Sequence, residues 1–351
     1  MVYNAFADTG PLGYIYGMTQ LLRTCLLLSL LALTACPRTA ATPDPITPRP
    51  WETISANGAP EARHEAAFIG LNNKFYLLGG RGIKPVNIFD PATKTWTAGA
   101  PSPVEIHHFQ PVIHDNEIWL VGAMTGPYPG ETPLPNIYIY NPTRDEWRKG
   151  PAVPEGRGRG GAGAVFVGEK LYVVCGIQDG HRGGHVPWLD EYDPATGKWR
   201  RLPDAPRPRD HFQAVARGGK IYAIAGRTTV AATNPFANTI GEVDVYDIAA
   251  GTWTTLDDPL PTTRAGNAAL VIGDQILVAG GESDRQEPAH AEVELLDRRN
   301  RWHRLPDLNR GRHGTGLLHH NQTLYMASGC GNRGGSPELA DIIAAPFVKD
   351  Y

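Results

Sequence analysis

The sequence predicts an all-β chain, a six-bladed propeller, on three observations: tryptophans at near-even spacing, an apolar run ending in small residues between them, and no convincing helical period anywhere. Trp51, Trp96, Trp147, Trp199, Trp253 and Trp302 stand 45, 51, 52, 54 and 49 residues apart. Each interval carries about four short runs rich in Val, Ile, Tyr and Trp, parted by Gly, Pro, Asn and Asp, as four short strands would be. One such unit cannot bury its apolar surface alone; six in register close a ring of blades.

Within each repeat the elements follow in a fixed order. Apolar runs such as Phe75–Gly80, Leu171–Gly176 and Ile276–Gly281 read as strands that end at a small-residue pair. An aromatic-Asp-Pro or near variant follows: Phe89-Asp90-Pro91, Tyr140-Asn141-Pro142, Tyr192-Asp193-Pro194, Tyr246-Asp247-Ile248. The Trp comes next. This order of di-Gly, Tyr-Asp-Pro and Trp resembles the kelch repeat family over residues 51–351, with decayed pairs at Gly122-Ala123, Ala225-Gly226 and Ser328-Gly329. The resemblance implies a blade whose Trp opens the outermost strand. Trp51-Glu52-Thr53-Ile54 is then an outer strand lacking the rest of its blade. Tyr351 falls five residues after Pro346, the spacing from Pro91 to Trp96, so the last repeat supplies three strands. One N-terminal and three C-terminal strands are expected to complete the sixth blade, removing two open edges.

Composition agrees: 41% hydrophobic residues with 40 Gly and 31 Pro suit a turn-rich all-β chain, and a net charge of −3 argues against nucleic-acid binding. The N-terminus reads as an address. Met18 is taken as the true start, residues 1–17 being a mis-assigned extension, and residues 18–36 as a lipoprotein signal peptide. Its apolar stretch is too short to span a bilayer, and Leu33-Thr34-Ala35-Cys36 resembles a lipobox that makes Cys36 the lipidated residue. Residues 37–50, rich in Pro and Thr, form a tether, so the expected protein is exported and anchored to a membrane by lipid, on the periplasmic or cell-surface side. Of the four cysteines only Cys175 and Cys330 then lie in the domain. They sit in opposed blades, too far apart to pair, and are expected as small packing residues.

Sixteen residues before each small-residue pair stand Arg63, Ile106, Arg159, Arg209, Arg264 and Arg312. Each opens an inner strand, on the face that also carries the loops following the small-residue pairs, long at 123–136, 177–188, 227–241 and 282–291. His64, Glu65, His107, His108, Asp210, His211 and His313 flank the arginines, and Arg81, Arg227 and Glu282 lie just past the pairs. A basic axial mouth is expected from this pattern, with these residues as ligand-binding candidates; the competing reading makes the arginines bond only neighbouring carbonyls and acids. His181 and His185 share a Gly-rich loop with nothing fixing their geometry, so no metal and no cofactor are expected. The galactose oxidase propeller, of similar architecture, needs a Cys-linked Tyr at copper, which the two domain cysteines do not offer.

Three functions fit. The first is a binding module for an anionic ligand, a carboxylated sugar or an acidic peptide, since arginine's planar fork matches a carboxylate. The second is an enzyme similar to N-acetylneuraminate epimerase, for which Glu65, His108, His211 and Glu282 are available as acid or base, without any being assigned a catalytic role. The third is a structural protein of the cell envelope with a protein partner.

Overall fold

A computed structural model describes residues 49–347. The expected signal peptide, lipobox and Cys36, and nearly all of the tether, lie outside them. Among the described residues one 3-10 turn, Gly180–Arg182, is the sole helical element, and no helix is long and apolar enough to cross a membrane.

Six four-stranded antiparallel sheets form the blades. Blade 1 is Ala66–Leu71, Lys74–Gly79, Pro85–Asp90 and Thr95–Pro101; blade 2 is Gln110–His114, Glu117–Val121, Asn136–Asn141 and Glu146–Ala152. Blade 3 is Gly163–Val167, Lys170–Val174, Leu189–Asp193 and Lys198–Leu202; blade 4 is Gln213–Arg217, Lys220–Ile224, Asp244–Asp247 and Thr252–Thr255. Blade 5 is Ala268–Ile272, Gln275–Ala279, Val293–Leu296 and Trp302–Leu305. Blade 6 takes Leu317–His320, Thr323–Ala327 and Ile342–Pro346 from the C-terminal side and Glu52–Thr53 from the N-terminal side, in the register Glu52 to Ala344 and Thr53 to Ile343. The closure is the one the spacing predicts. Inner strands of successive blades lie side by side around the whole ring.

The repeat signals have separate physical causes. A second strand lies between two neighbouring blades, so both of its faces are buried and the run reads as continuously apolar. Phe75 and Leu77 pack toward Leu318 and Ala327 of blade 6, while Tyr76 and Leu78 pack toward Ile118, Leu120 and Tyr140 of blade 2. The Asp of aromatic-Asp-Pro turns the chain between third and fourth strands: Asp90 accepts from Ala92 N at 2.9 Å, Asp193 from Ala195 N at 3.0 Å, and Asp247 from Ala250 N at 3.0 Å. Tryptophans stitch blades together. Nε1 of Trp147, Trp199, Trp253 and Trp302 donates to Ala100 O, Ala152 O, Pro203 O and Asp258 O of the preceding blade, at 2.8 to 3.2 Å.

The axis is a funnel. Its wide part, a cavity of about 450 Å³, is lined by inner-strand residues such as Phe68, Val112, Phe166, Val215, Leu270 and Leu318. The narrow part, about 40 Å³, lies at the inner-strand starts among Glu65, His108, Gly161, His211, Gly266 and Gly314. Cys175 and Cys330 are free and buried, and Cys175 packs with Ile221, Ala223 and Tyr246.

Candidate functional site

The five arginines do not rim the mouth, which corrects the geometry expected of them. Arg63, Arg209, Arg264 and Arg312 are wholly buried and Arg159 nearly so. Each guanidinium turns into its own blade and donates to the carbonyl 16 residues on: Gly79 O (3.0 Å), Cys175 O (2.6 Å), Ala225 O (2.8 Å), Gly280 O (2.6 Å) and Ser328 O (3.1 Å). Those residues all have positive φ, which ends the second strand and takes its last carbonyl off the ladder. A third-strand group, or in blade 6 one just before that strand, completes each guanidinium: Asn87 at 2.6 Å, Asp190 at 2.8 Å, Asp244 at 2.5 Å, Glu294 at 2.5 Å and Asp341 at 3.2 Å. Blade 2 replaces the device. Ile106 and, at the Asp190 and Asp244 register, Tyr138 are apolar partners in one core cluster.

Two residues past each of those six positions the chain does reach the axis. Glu65, His108, Gly161, His211, Gly266 and Gly314 all adopt left-handed backbone, φ 52° to 64°. Their peptides form a hydrogen-bonded ring: His108 N to Glu65 O, Gly161 N to His108 O, His211 N to Gly161 O, Gly266 N to His211 O, Gly314 N to Gly266 O, and Ala66 N to Gly314 O, at 2.7 to 3.3 Å. Glycine enters this conformation without penalty, whereas a side chain there costs about 1–3 kcal/mol. Three positions take glycine; the other three hold a carboxylate and two imidazoles against that cost.

Most of the remaining expected site residues gather behind this ring. His107 Nδ1 lies 2.7 Å from His108 Nδ1, and Asp210 Oδ1 lies 2.5 Å from His211 Nδ1. Asp210 also accepts from Thr229 Oγ1 and N, at 2.5 and 3.0 Å. Arg227 Nη1 bonds Glu282 Oε1 at 2.6 Å, His313 Nε2 lies 3.4 Å from Glu282 Oε2, and Glu65 Oε2 lies 3.2 Å from His108 Nε2. Arg81, a quarter exposed, reaches Glu131 at 2.7 Å. His64 bonds Glu338 at 2.7 Å and stands edge-on to His313, centroids 6.2 Å apart.

Three residues of the site escaped the sequence reading or were set aside in it. Glu131, from the 123–136 loop, is 1% exposed; it accepts from His181 N at 3.2 Å, and its Oε1 lies 3.0 Å from His181 Nδ1. It seats His181 against His108 and His211, with ring centroids 4.8 to 5.1 Å apart. His185 Nε2 donates to Thr229 O at 2.7 Å and lies 3.3 Å from Asp210 Oδ2. One nitrogen from each of His108, His181 and His211 lies within 4.8 Å of the others, so these three could hold a metal ion. The signal available in the sequence was the departure from glycine two residues after the arginine position.

Electrostatically the site is mixed rather than basic. Burial favours the neutral carboxyls, but His211, Arg227 and Thr229 hold Asp210 at a pKa of about 2. Burial is likewise outweighed at Glu282, about 2, by His313 and Arg227. Burial drives His108 well below its usual pKa and lowers His211 too, helped by Arg227. Burial also opposes protonation of His313, yet Glu282, Cys330 and Glu65 together raise it to about 9. Neutral imidazoles beside ionised carboxylates can accept hydrogen bonds, move a proton, or ligate a cation.

The chain's relatives agree with this architecture. A family model described as the Attractin/LZTR1 beta-propeller matches residues 45–286. Kelch-like protein terF of Aspergillus terreus is 29% identical over 340 residues, covering 90% of this chain and 72% of that protein. Human Kelch repeat and BTB domain-containing protein 13 is 30% identical over 52% of the chain, and Kelch-like protein 40 of Xenopus laevis 27% over 49%; the chain spans only 37% and 28% of these two. The solved structure of YjhT superposes with a TM-score of 0.70 at 18% identity, covering 84% of this chain and 97% of that one, a likeness of fold alone. The chain belongs to the Attractin/LZTR1 β-propeller family, as a six-bladed kelch-repeat propeller.

Proposed function

We propose that this kelch propeller is a binding module whose ligand seats on the loop face, over the narrow end of the axis, and that the ligand is a small carboxylated sugar or similar anion. One observation carries the reading: Glu65, His108 and His211 are held at the axis in backbone that glycine alone enters freely. A purely structural ring would use glycine throughout, as three of its positions do. The carboxylates and imidazoles there suit sugar hydroxyls. The ligand's own carboxylate falls to Arg81, whose side chain is 26% exposed, in place of the buried arginines. The test is calorimetry with N-acetylneuraminate and galacturonate. Arg81→Gln should weaken binding by at least tenfold while circular dichroism shows the fold retained; no binding of either acid, or an unaffected variant, overturns the reading.

Sugar epimerisation or mutarotation is the second reading, favoured by the Glu65–His108 contact, an acid–base pair in reach of the same seat. Anomeric exchange followed by NMR separates enzyme from binder. Export and lipid anchoring through Cys36 belong to the same proposal and rest on the sequence; the mass of the mature N-terminus tests them, and an unprocessed Met1 would refute them.

A further inference from the structure

We infer that His108, His181 and His211 form a binding site for a divalent transition ion of the zinc class. The inference concerns the site proposed above and rests on that reading for what fills the open coordination position, though not for the protein ligands.

The three imidazoles come from separate places and are brought together by the fold. His108 and His211 project from the axial ring at blades 2 and 4. Blade 3, between them, has Gly161 at its ring position, where an added Cβ would stand 3.0 Å from His211 N. The place is taken instead by His181, reaching in from the 177–188 loop.

Each imidazole has Nδ1 against a protein partner, which points Nε2 at the cluster. Asp210 can only accept, so His211 carries its proton on Nδ1 and leaves a lone pair on Nε2. Gly126 O, 3.2 Å from His107 Nε2, fixes the proton of His107 there. His107 Nδ1 must then accept, so His108 donates from Nδ1 and its Nε2 is also a bare lone pair. Glu131 Oε1 lies 3.0 Å from Nδ1 of His181, though off the line of a hydrogen bond. Nε2 of His108 and of His211 makes no hydrogen bond, although these residues are 4% and 6% exposed. The His108 lone pair even faces Glu65 Oε2 at 3.2 Å. Buried acceptors turned on one another are unfavourable, and a cation among them satisfies all at once.

The donor set selects the class of ion. Neutral imidazoles suit zinc and its first-row neighbours, and carboxylates behind two of them match the usual support of metal-bound histidine. Bonds of about 2.0–2.1 Å need the nitrogens closer than 4.8 Å, so the rings must draw together on the ion. Three protein ligands leave a fourth position for water or for an anionic ligand atom, with Glu65 beside it.

The experiment uses the full chain, stripped with chelator and titrated with Co²⁺ and with Zn²⁺ against a chromophoric competitor. One equivalent should bind, with the visible spectrum of a four- or five-coordinate Co²⁺. His181→Ala, in a loop, and His211→Gly, at a backbone angle glycine adopts freely, should each lower Zn²⁺ affinity about 100-fold or more while circular dichroism is unchanged. No uptake, or equal uptake by both variants, overturns the site. Calorimetry of N-acetylneuraminate on metal-free and zinc-loaded protein separates the two ideas. Anion binding without ion uptake refutes the metal site alone; ion uptake without anion binding supports it and refutes the ligand reading.

Discussion

Arg264 donates to Gly280 O, Val278 O and Thr262 O and pairs with Glu294, all inside blade 5. Removing it strands a buried carboxylate and several carbonyls, a loss of about 3–5 kcal/mol. Blade 2 contains the apolar alternative, Ile106 with Tyr138. Arg264→Ile should therefore lower the urea midpoint sharply, whereas Arg264→Ile with Glu294→Tyr should regain more than half the loss. A double variant no better than the single one would show that the two positions are not a unit. A second expectation concerns His313, which faces Glu282 at 3.4 Å, His64 with centroids 6.2 Å apart, Glu65 and Cys330. Its folded pKa, about 9, is above the unfolded value of about 6.5. The contribution is complete below pH 6.5, where both states hold the proton, and is lost as pH rises through 9, on the order of 3 kcal/mol at most. Denaturation midpoints between pH 6 and pH 9.5 should fall more steeply for the wild type than for His313→Gln. Equal slopes would refute the assignment.

At the level of elements, the strands were legible because each repeated signal has one local cause: two buried faces for the apolar run, an Asp-capped turn, a Trp tied to the preceding blade. The arginines were misread for a related reason. A charge repeated in register is compatible with a shared mouth or with a shared strut, and the arginine position alone does not decide between them. The deciding residue lies on the third strand, where Asn87, Asp190, Asp244 and Glu294 accompany arginine and Tyr138 accompanies Ile106. That covariation among repeats was in the sequence. Strand direction puts Glu65, His107, His108, Asp210 and His211 near one end of the axis, where their contacts with one another lie. His181 was given the same face but no place on it, since a loop position cannot be followed through 12 residues without strand periodicity. Only the seat that Glu131 makes for it fixes where its ring falls.

Across the whole molecule, stability depends on the ring being shut. Glu52–Thr53 is a two-residue strand, yet Ile54 N bonds Ile342 O at 2.9 Å and Trp51, 5% exposed, packs with Leu305, Leu308, Ile343 and Phe347. This short segment covers the outer edge of Ile342–Pro346 and seals the seam between blades 5 and 6. A chain beginning at residue 57 loses the bridge and the indole together. The free edge of blade 6 then offers unpaired peptide groups to other molecules. Burial of an indole is worth about 3–5 kcal/mol, so Trp51→Ala should remove a large part of the stability by itself, and the truncated chain more. The axial site should suffer as well, because Glu65 and Gly314 meet at the junction of blades 1 and 6, where Ala66 N bonds Gly314 O. Melting curves and light scattering on the full chain, Trp51→Ala and the truncated chain give the test. The expected order is a falling melting temperature with rising aggregation. A truncated chain that melts with the full one would mean that the inter-blade contacts alone hold the ring.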